Sequence, residues 1–534
     1  MPAPDREPLV PTGRVGYSPP GLTGVFDVLK VPTERRPDAA ALIIDAERTR
    51  VTFAQLDQLA TDVSDELVAR GLRPGDRIAL LAPNGLEFVV ALLAAAKANL
   101  VTVTLNPAVS TDEVAQRMAE ARARILLGVP SLGQEPPDAL AAKALPIWTI
   151  DVDTTSGPQF ALTVKADAPP TAAARDDRPL PDSDPDDALI MFTSGTTARP
   201  KRVPLTHTNI AASVRGICTT YELGPSDATV AVMPFFHGHG LMAGLLSTLA
   251  TGGCVLIPAA GRFSARSLWD DVAAVSATWI TAVPTMYRIL LSRAATDYPG
   301  RDRCPLRFLR SCSAPLDSPT ATAMSRTFHA PVLSAYGMTE TTHQAAAQAL
   351  PTHCAGRPGS VGHATGTIIR VVDPHGKDTA VGNSGEVWVS GPTVARGYLE
   401  NPTESARSFT DGWFHSGDLG TLDAEGTLTI TGRIKELINR GGEKISPVQV
   451  EAVLNACPGV TEAAVFGVSD EKYGERVEAA VVAEVGVSTA DLLSACRKHL
   501  APFEIPDSIQ FVSELPHTPK GALDRRAVTA RFGG

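Results

Sequence analysis

Cysteine is scarce in this sequence, and the few cysteines are not spaced for a metal site. There are 7 in 534 residues, an odd number, and no two of them form a CxxC pair. A disulfide framework or a structural zinc site needs regular spacing, so the scatter argues against both and predicts reduced thiols in a cytoplasmic protein. Most of these cysteines are expected to fill the core.

Long apolar runs are also absent. A membrane helix needs roughly 18 consecutive apolar residues, whereas an apolar stretch such as Leu92 to Leu100 is interrupted by Lys97 and Asn99. The segment Met1 to Pro20 is rich in proline and charge, and it lacks the basic and apolar regions of a secretory signal. The sequence therefore predicts neither a membrane span nor export.

Positive charge is in deficit. The chain has 48 Lys and Arg against 58 Asp and Glu, a formal net charge of −10. Such a chain is a poor partner for nucleic acid, and an anionic substrate must be met by local positive charge. Two groups of basic residues can supply it: Arg199, Lys201 and Arg202, and further on Arg433, Lys435, Arg440 and Lys444.

The pattern along the chain predicts several α/β units. A capping box at Thr52 opens a helix, and strands and helices then alternate as far as Leu105, which is typical of a parallel sheet. A second α/β unit is predicted from about Ala188 to Ser334 and a β-rich subdomain from Gly359 to Thr431. The residues after Arg433 predict a small α+β domain. The fold class is therefore α/β, with two α/β subdomains, a β-rich subdomain and a small final domain.

The most informative segment is a loop of small hydroxyl residues and glycine that ends in lysine. It runs from Thr193 to Lys201, after an apolar strand and before a helix that Thr206 or Thr208 can cap. Backbone N–H groups between a strand and a helix can bind phosphate, so the loop predicts ATP binding. A surface turn is the alternative for this composition, and the spacing differs from that of a Walker loop.

Four segments resemble, in this order, motifs of the adenylate-forming superfamily, which contains acyl-CoA ligases, luciferases and peptide-synthetase adenylation domains. They are Thr193–Lys201, Tyr336–Glu340, Trp413–Asp418 and Gly432–Glu436. The resemblance extends from Phe53 to Arg526. It implies an enzyme that activates a carboxylate with ATP and Mg²⁺ and transfers it to CoA. It also implies a large N-terminal domain, residues 1–432, and a small mobile C-terminal domain, residues 433–534.

The resemblance gives roles to individual residues, each of which alone would pass for a turn or surface residue. Glu340, next to Thr339, would bind Mg²⁺, and Asp418 would accept both ribose hydroxyls. Lys435 would be the hinge about which the small domain turns. Nucleotide and CoA contacts are implied for Thr193, Ser194, Gly195, Thr196, Thr197, Lys201, Ser313, Ala314, Tyr336, Gly337, Met338, Thr339, Asp418, Arg433, Gly441, Gly442 and Glu443.

The acyl pocket resembles that of the oxalate–CoA ligase branch in four segments: Phe235–Gly240, Pro258–Ala265, Ser311–Ala314 and Thr339–Gln344. By this resemblance His237, Ser313 and His343 bind oxalate, and Arg262 is a further candidate partner for the anion. A second carboxylate must be met by donors or be desolvated at high cost, and a histidine that faces an anion can be cationic near neutral pH. A fatty-acid tunnel would instead be apolar, so a fatty or aromatic acyl-CoA ligase is the alternative.

One position departs from the superfamily's pattern. The family reads Pro-x-Thr-x-x-Gly-Lys near its C-terminus, whereas this chain has Ala522 at the place of the catalytic lysine, through engineering or natural variation. Loss of one donor to a transition-state oxyanion costs about a hundred- to a thousand-fold in rate, so we expect slow adenylation. Lys520 would lie about 6.6 Å away on the same side of an extended loop and could partly compensate. A catalytically silent protein that binds ATP or an acyl-adenylate is the further alternative.

Overall fold

The computed structural model describes residues 19–129, 147–153, 159–164, 182–193, 200–352, 359–517 and 523–533. Within these ranges the chain forms two large sheets with parallel centres and two smaller, mainly antiparallel sheets. This is the predicted fold class, α/β with two large subdomains, a β-rich subdomain and a small α+β domain at the end.

The centre of the first sheet is a βαβ unit, as predicted. The parallel strands Arg77–Leu81 and Val101–Leu105 are joined by the helix Leu86–Lys97, which is buried along almost its whole length because nearly all of its residues are apolar. In spatial order the described strands of this sheet are Gln159–Val164, Ile147–Asp153, Ile125–Gly128, Arg77–Leu81, Val101–Leu105, Asp187–Phe192 and Arg202–Thr206.

The second sheet carries at its centre the strand that leads to Ser313. This strand, Phe308–Ser311, lies parallel to its neighbours Trp279–Ala282 and Val332–Tyr336, so the ends of all three point to one edge of the sheet. In spatial order the described strands are His363–Ala364, Ala346–Ala347, Val332–Tyr336, Phe308–Ser311, Trp279–Ala282, Ala228–Val230, Cys254–Leu256, Ala40–Ile44 and Thr49–Thr52.

The two large sheets exchange strands, which corrects one expectation. The sequence assigned Ala188 to Phe192 to the second α/β unit, but the strand Asp187–Phe192 pairs with Val101–Leu105 in the first sheet. Conversely, the early strand Ala40–Ile44 pairs with Cys254–Leu256 in the second. The predicted start of the second unit at Ala188 is therefore wrong. Apolar runs report burial and not the identity of the partner strand, so this exchange cannot be seen in the sequence pattern.

The third and fourth sheets follow each other in the chain. The third contains Ile368–Val372, Gly385–Ser390, Trp413–Leu422, Phe409–Thr410 and Leu428–Arg433, and the fourth Glu443–Ile445, Ile438–Arg440, Gly474–Ala483, Val460–Asp470 and Ser508–Phe511. The chain thus passes from one sheet to the other between Arg433 and Ile438. The domain boundary predicted between residues 432 and 433 stays a prediction and lies one residue inside a strand.

Two helices begin at capping residues that the sequence predicts. Thr52 and Gln55 form the predicted capping box, and Thr206 caps the helix after the hydroxyl-rich loop. The described α-helices are Lys30–Arg35, Phe53–Ala69, Leu86–Lys97, Thr111–Ala121, His207–Tyr221, Ser247–Ala250, Leu268–Ala274, Pro284–Asp297, Ser318–Phe328, Pro402–Ser408, Pro447–Asn455, Thr489–His499 and Arg525–Phe532. Shorter turns are the 3-10 helices Val25–Asp27, Thr339–Thr341 and Ile434–Glu436 and the π-helix His239–Leu246.

The helices of the described ranges differ from membrane-spanning helices. None of the helices in the described ranges combines the length and apolarity needed to cross a bilayer. The cysteines in these ranges are free thiols, as expected from their scatter.

Candidate active site

The hydroxyl-rich loop connects two antiparallel strands of the first sheet, Asp187–Phe192 and Arg202–Thr206. Its ends are tied together, because the backbone N–H of Thr193 donates to the carbonyl oxygen of Lys201 at 2.9 Å and the N–H of Lys201 to Oγ1 of Thr193 at 3.4 Å. Phosphate binding stays a prediction for the residues between them that lie outside the described ranges: Ser194, Gly195, Thr196 and Thr197.

Lys201 connects this loop to the predicted magnesium ligand. Its Nζ lies 2.7 Å from the carboxylate of Glu404 and 4.4 Å from the centroid of the Tyr398 ring. The Tyr398 hydroxyl in turn donates to Oε1 of Glu340 at 2.8 Å. The structure therefore brings the loop and Glu340 together, although they are far apart in the sequence.

The carboxyl group of Glu340 is suited to a bound cation. It follows Thr339 in a 3-10 turn, and burial raises its pKa while the hydrogen bond from Tyr398 lowers it. A cation would offset the burial by favouring the ionised form. The described residues contain no cluster of three or more side chains from His, Cys, Asp and Glu that could hold a metal. One carboxylate still fits Mg²⁺, which is often held by one or two carboxylates and the phosphates of its substrate.

Asp418 lies where the third sheet meets the second. It is paired with Arg433 across two strands, and its Oδ1 accepts a hydrogen bond from Nε of Arg433 at 2.7 Å. Its Oδ2 accepts one from the hydroxyl of Tyr336 at 2.8 Å. A carboxylate has about four acceptor positions, so two remain for the ribose hydroxyls that the resemblance assigns to it. Tyr336, Asp418 and Arg433 are thus brought together as predicted, and their ligand contacts stay predictions.

Glycine at position 337 is required by a close backbone approach. A Cβ atom there would lie 1.8 Å from the carbonyl oxygen of His343, whereas real contacts are about twice as long. Gly337 therefore lets the segment after Tyr336 pass directly against His343. Met338, the next residue, packs partly buried against the core of the third sheet.

We expect Gly337→Ala to destabilise the protein by about 1–3 kcal/mol, because the added methyl can be accommodated only by moving backbone. The shift would displace Tyr336 and His343, so the KM for ATP should rise as well. Differential scanning calorimetry and initial rates measure the two effects. Gly224→Ala is the control, since nothing lies within 4 Å of a Cβ there. Equal unfolding temperatures for both variants would contradict the prediction.

Two of the three predicted oxalate residues, Ser313 and His343, lie in one cluster with His239, which contacts both of them. Nδ1 of His239 lies 3.1 Å from Oγ of Ser313, and the His239 ring stacks on that of His343 with centroids 5.0 Å apart. Ser313 is exposed to solvent, and both histidines are buried. His237 is half-buried and lies two residues before the π-helix His239–Leu246. Such helices are frequent at functional sites.

The cluster contains a cation that the sequence did not reveal. Arg310 has an exposed fraction of 0% and lies in the strand Phe308–Ser311. Its Nη2 donates to Nε2 of His343 at 3.0 Å and to Oε1 of Gln344 at 2.9 Å. Its Nη1 donates to Oγ1 of Thr281 at 2.9 Å and its Nε to the hydroxyl of Tyr221 at 3.1 Å. The signal in the sequence is a charged side chain directly after two apolar residues of a buried strand.

The positive charge expected on His343 needs correction. Burial and the neighbouring Arg310 guanidinium hold the pKa values of His239 and His343 well below the usual range. A histidine that is buried beside a permanent cation stays neutral, because a second positive charge would be desolvated and repelled. Arg310, and not an imidazolium, therefore supplies the positive charge of the pocket.

The backbone at this cluster is strained. Ser313 has φ of +71° and His343 φ of +82°, in the left-handed region that residues other than glycine rarely adopt. Strain of this kind persists where the surrounding structure fixes the position of a functional side chain. Arg262, in contrast, is exposed and makes no hydrogen bond or ion pair with other described residues. Its role stays a prediction, as does that of Ala314, which follows Ser313.

The position of the missing lysine, Ala522, lies outside the described residues, as does Lys520. The residue before this segment, His517, lies with Nε2 3.0 Å from Oε1 of Glu462. The same oxygen accepts from Nη1 of Arg288, also at 3.0 Å, and Arg288 donates from Nη2 to Asp317 at 2.9 Å. A chain of hydrogen bonds therefore connects His517 to Asp317 of the N-terminal domain, which follows Ser313 by four residues.

The predicted hinge and CoA residues lie apart from the histidine cluster. Lys435 is exposed in the 3-10 turn Ile434–Glu436 between the third and fourth sheets. Gly441 and Gly442 form the turn between two short strands and have φ of +62° and +96°. Glu443 is exposed directly after them. Their roles in domain rotation and CoA binding stay predictions.

The arrangement connects the loop that ends in Lys201 to the half-buried Glu340 through Tyr398, and hydrogen bonds from tyrosine and arginine hold the carboxylate of Asp418. Together with two large sheets that have parallel centres and a small final domain, this defines an adenylate-forming enzyme. The chain belongs to the AMP-binding enzyme family, which matches residues 29–399, and the C-terminal domain of AMP-binding enzymes matches residues 449–522. Adenylate-forming CoA ligases use ATP, Mg²⁺ and CoA, in agreement with the cofactors predicted from the motifs.

Individual relatives cover almost the whole chain. An oxalate–CoA ligase from Arabidopsis thaliana is 41% identical over 508 residues, which are 95% of this chain and 98% of the relative. An oxalate–CoA ligase from Saccharomyces cerevisiae is 34% identical over 528 residues, 93% of this chain and 95% of the relative. The crystal structure of ATP-bound MatB from Rhodopseudomonas palustris has a TM-score of 0.81 at 31% identity and covers 95% of this chain and 99% of MatB.

Proposed function

We propose that this protein is an AMP-forming ligase that joins oxalate to CoA through an oxalyl-adenylate. The observation that supports oxalate is the buried cluster of Arg310, His239 and His343 behind the accessible Ser313. A pocket for a fatty or aromatic acid would be lined by apolar groups. Buried donors and a buried cation would instead be costly unless an anion meets them.

The reaction has two steps in this proposal. A carboxylate oxygen of oxalate attacks the α-phosphorus of ATP and pyrophosphate leaves; the CoA thiol then attacks the carbonyl carbon and AMP leaves. The protein contributes position and charge, because in-line attack at phosphorus gains most from these. Lys201 and the loop from Thr193 would hold the phosphates, and Glu340 would hold the Mg²⁺ that neutralises their charge.

The nucleotide would be held from the other side by residues of the second and third sheets. Asp418 would accept from the ribose hydroxyls, Arg433 would stay paired with Asp418, and the Tyr336 ring would lie against the adenine. In the second step the C-terminal domain would turn about Lys435 and bring Gly441 to Glu443 to CoA. The glycines permit close backbone contact with the ligand.

A second candidate function is supported by Ala522 alone. A protein without the catalytic lysine could bind ATP or an acyl-adenylate and turn it over too slowly to act as a ligase. Under the ligase proposal, by contrast, only the residue at position 522 is missing from the site. Replacing Ala522 with lysine should then restore the rate of adenylation. The two candidates therefore differ in the outcome of a single substitution.

The test is oxalate-dependent pyrophosphate release and thioester formation with ATP, Mg²⁺ and CoA, in this chain and in Ala522→Lys. Oxamate is the matched acid, because it keeps the reacting carboxylate and replaces the second one by a neutral amide, and decanoate represents the fatty acids. We expect oxalate to have the highest kcat/KM. Higher kcat/KM with decanoate would overturn the assignment of oxalate, and ATP binding without release in either protein would favour the silent binder.

A further inference from the structure

The buried guanidinium of Arg310 is compensated only by neutral groups. Its described hydrogen-bond partners are the side chains of Tyr221, Thr281, His343 and Gln344, and none of them is a carboxylate. Arginine stays charged in proteins, and a buried charge is normally paired. No described carboxylate neutralises this positive charge, so it can attract an anionic ligand. Neutral side chains nevertheless separate Arg310 from the exposed Ser313.

The hydrogen bond from Arg310 fixes one tautomer of His343. A guanidinium only donates, so Nε2 of His343 must accept, and the ring proton of the neutral imidazole lies on Nδ1. Among the described residues Nδ1 has no hydrogen-bond partner. His343 thus has an N–H donor left for a ligand. The left-handed backbone of His343 holds this ring in place beside His239.

The second connection runs from Arg310 through Thr281 and His239 to Ser313. Thr281 is 2% exposed, and its Oγ1 accepts from Arg310 at 2.9 Å and lies 2.6 Å from Nε2 of His239. The hydroxyl hydrogen of Thr281 needs an acceptor, since an unsatisfied buried donor is costly, and Nε2 of His239 is the one within reach. The proton of His239 therefore lies on Nδ1 and is donated to Oγ of Ser313 at 3.1 Å.

We propose that Arg310 is a positioning and specificity-determining residue. By fixing where its neighbours carry their protons, it provides the pocket with hydrogen-bond donors for the second carboxylate of a small dicarboxylate. Both chains of hydrogen bonds that begin at its guanidinium end in a donor, one at Nδ1 of His343 and one at the hydroxyl of Ser313. The charge of Arg310 thereby polarises two neutral imidazoles toward the ligand without contacting it. The inference rests on the proposed oxalate specificity and assigns its physical origin.

The test compares the binding of oxalate and oxamate to this chain, in which Ala522 limits turnover, by titration calorimetry in the presence of AMP. Arg310→Gln removes the charge and should weaken oxalate binding by about 10- to 100-fold, the range expected for a hydrogen bond to a charged group. Oxamate binding should change by less than about 3-fold, because its amide carries no charge to be attracted. The discrimination between the two ligands is thus lost.

Thr281→Val provides a second variant in case the buried Arg310→Gln protein does not fold. It keeps the shape of the side chain and removes only the hydroxyl that connects Arg310 to His239. We expect oxalate binding to weaken by about 10-fold, in the range for one such bond, while the affinity for AMP stays unchanged. Arg307→Gln is the matched control for Arg310→Gln. Arg307 lies directly before the strand Phe308–Ser311, which contains Arg310, but it pairs with Asp227.

A pH series tests whether the effect comes from the charge of Arg310 and not from a protonated histidine. The charged and titratable groups that act on the two rings are Arg310 and His237, together with the rings themselves. Burial, the larger cause of the lowered pKa values of His239 and His343, remains in Arg310→Gln, so both rings should stay neutral in both proteins. Because arginine stays charged throughout this range, the factor by which Arg310→Gln weakens oxalate binding should be the same at pH 6 and at pH 8.

These measurements distinguish failure of the inference on Arg310 from failure of the proposed function. If the parent protein does not bind oxalate, the oxalate assignment itself fails. If it binds oxalate but Arg310→Gln and Thr281→Val weaken oxalate and oxamate equally, or the weakening by Arg310→Gln differs between pH 6 and pH 8, the charge of Arg310 does not determine specificity and the inference is overturned.

Discussion

Replacing Ala522 with lysine is expected to raise the rate of oxalate-dependent pyrophosphate release by about a hundred- to a thousand-fold. A positively charged donor at this position would stabilise the charge that develops when the carboxylate attacks the α-phosphorus, and removal of one such donor costs about that factor in other enzymes. The candidate site also contains Lys201, Glu340 and Asp418, to which the proposed function assigns the phosphates, the Mg²⁺ and the ribose. Stopped-flow measurement of pyrophosphate release gives the rate.

Two further proteins make this result specific. Ala530→Lys adds the same charge at an exposed position of the last helix, Arg525–Phe532, and should not accelerate release. Lys520→Ala in the parent chain tests whether the neighbouring lysine supplies the residual rate. Thioester formation from chemically prepared oxalyl-adenylate should be equal in all versions. Acceleration by Ala530→Lys as large as by Ala522→Lys would contradict a local role.

The fold was largely predictable because local patterns determine its elements. The predicted capping box at Thr52 begins the helix Phe53–Ala69, and the predicted alternation of strands and helices extends to the strand Val101–Leu105, because apolar periodicity and caps act over a few residues. The partners of the strand Asp187–Phe192 were not predictable. A strand that is buried on both faces has the same apolar composition in either sheet, and a long connection permits its return to the first.

The parts of the candidate site that depend on motifs could be predicted from the sequence, whereas the parts that depend on packing could not. Tyr336, Asp418 and Arg433 were named from three separate segments, and the structure joins them by hydrogen bonds. Arg310 and His239 could not be singled out from the sequence, because their importance depends on contacts made in the folded protein. Both are buried, and both contact the hydroxyl of Thr281. Burial also reversed the expected charge of His343, since the sequence could show a histidine but not the guanidinium next to it.

Glu340→Gln is expected to lower the rate of adenylation by about a hundred-fold or more in the Ala522→Lys background. The substitution keeps the shape and the hydrogen bond from Tyr398 but removes the charge that would hold Mg²⁺. A bound metal contributes several kcal/mol to stabilising transition-state charge, and about 3 kcal/mol corresponds to a hundred-fold in rate. Initial rates over a wide range of Mg²⁺ concentrations should show a higher requirement for the metal. Glu471→Gln, at an exposed site of the C-terminal domain, is the control.

The pH dependence of this metal requirement connects the effect to the Glu340 carboxyl itself. Because burial raises its pKa, Glu340 takes up its proton at a higher pH than a solvent-exposed glutamate, and Mg²⁺ must compete with that proton as the pH falls. The Mg²⁺ concentration for half-maximal rate should therefore rise toward acid. Tyr398→Phe removes a hydrogen bond that lowers this pKa, so it should shift the rise to higher pH, whereas Glu340→Gln should abolish it. An unchanged profile in both variants would place the metal on another residue.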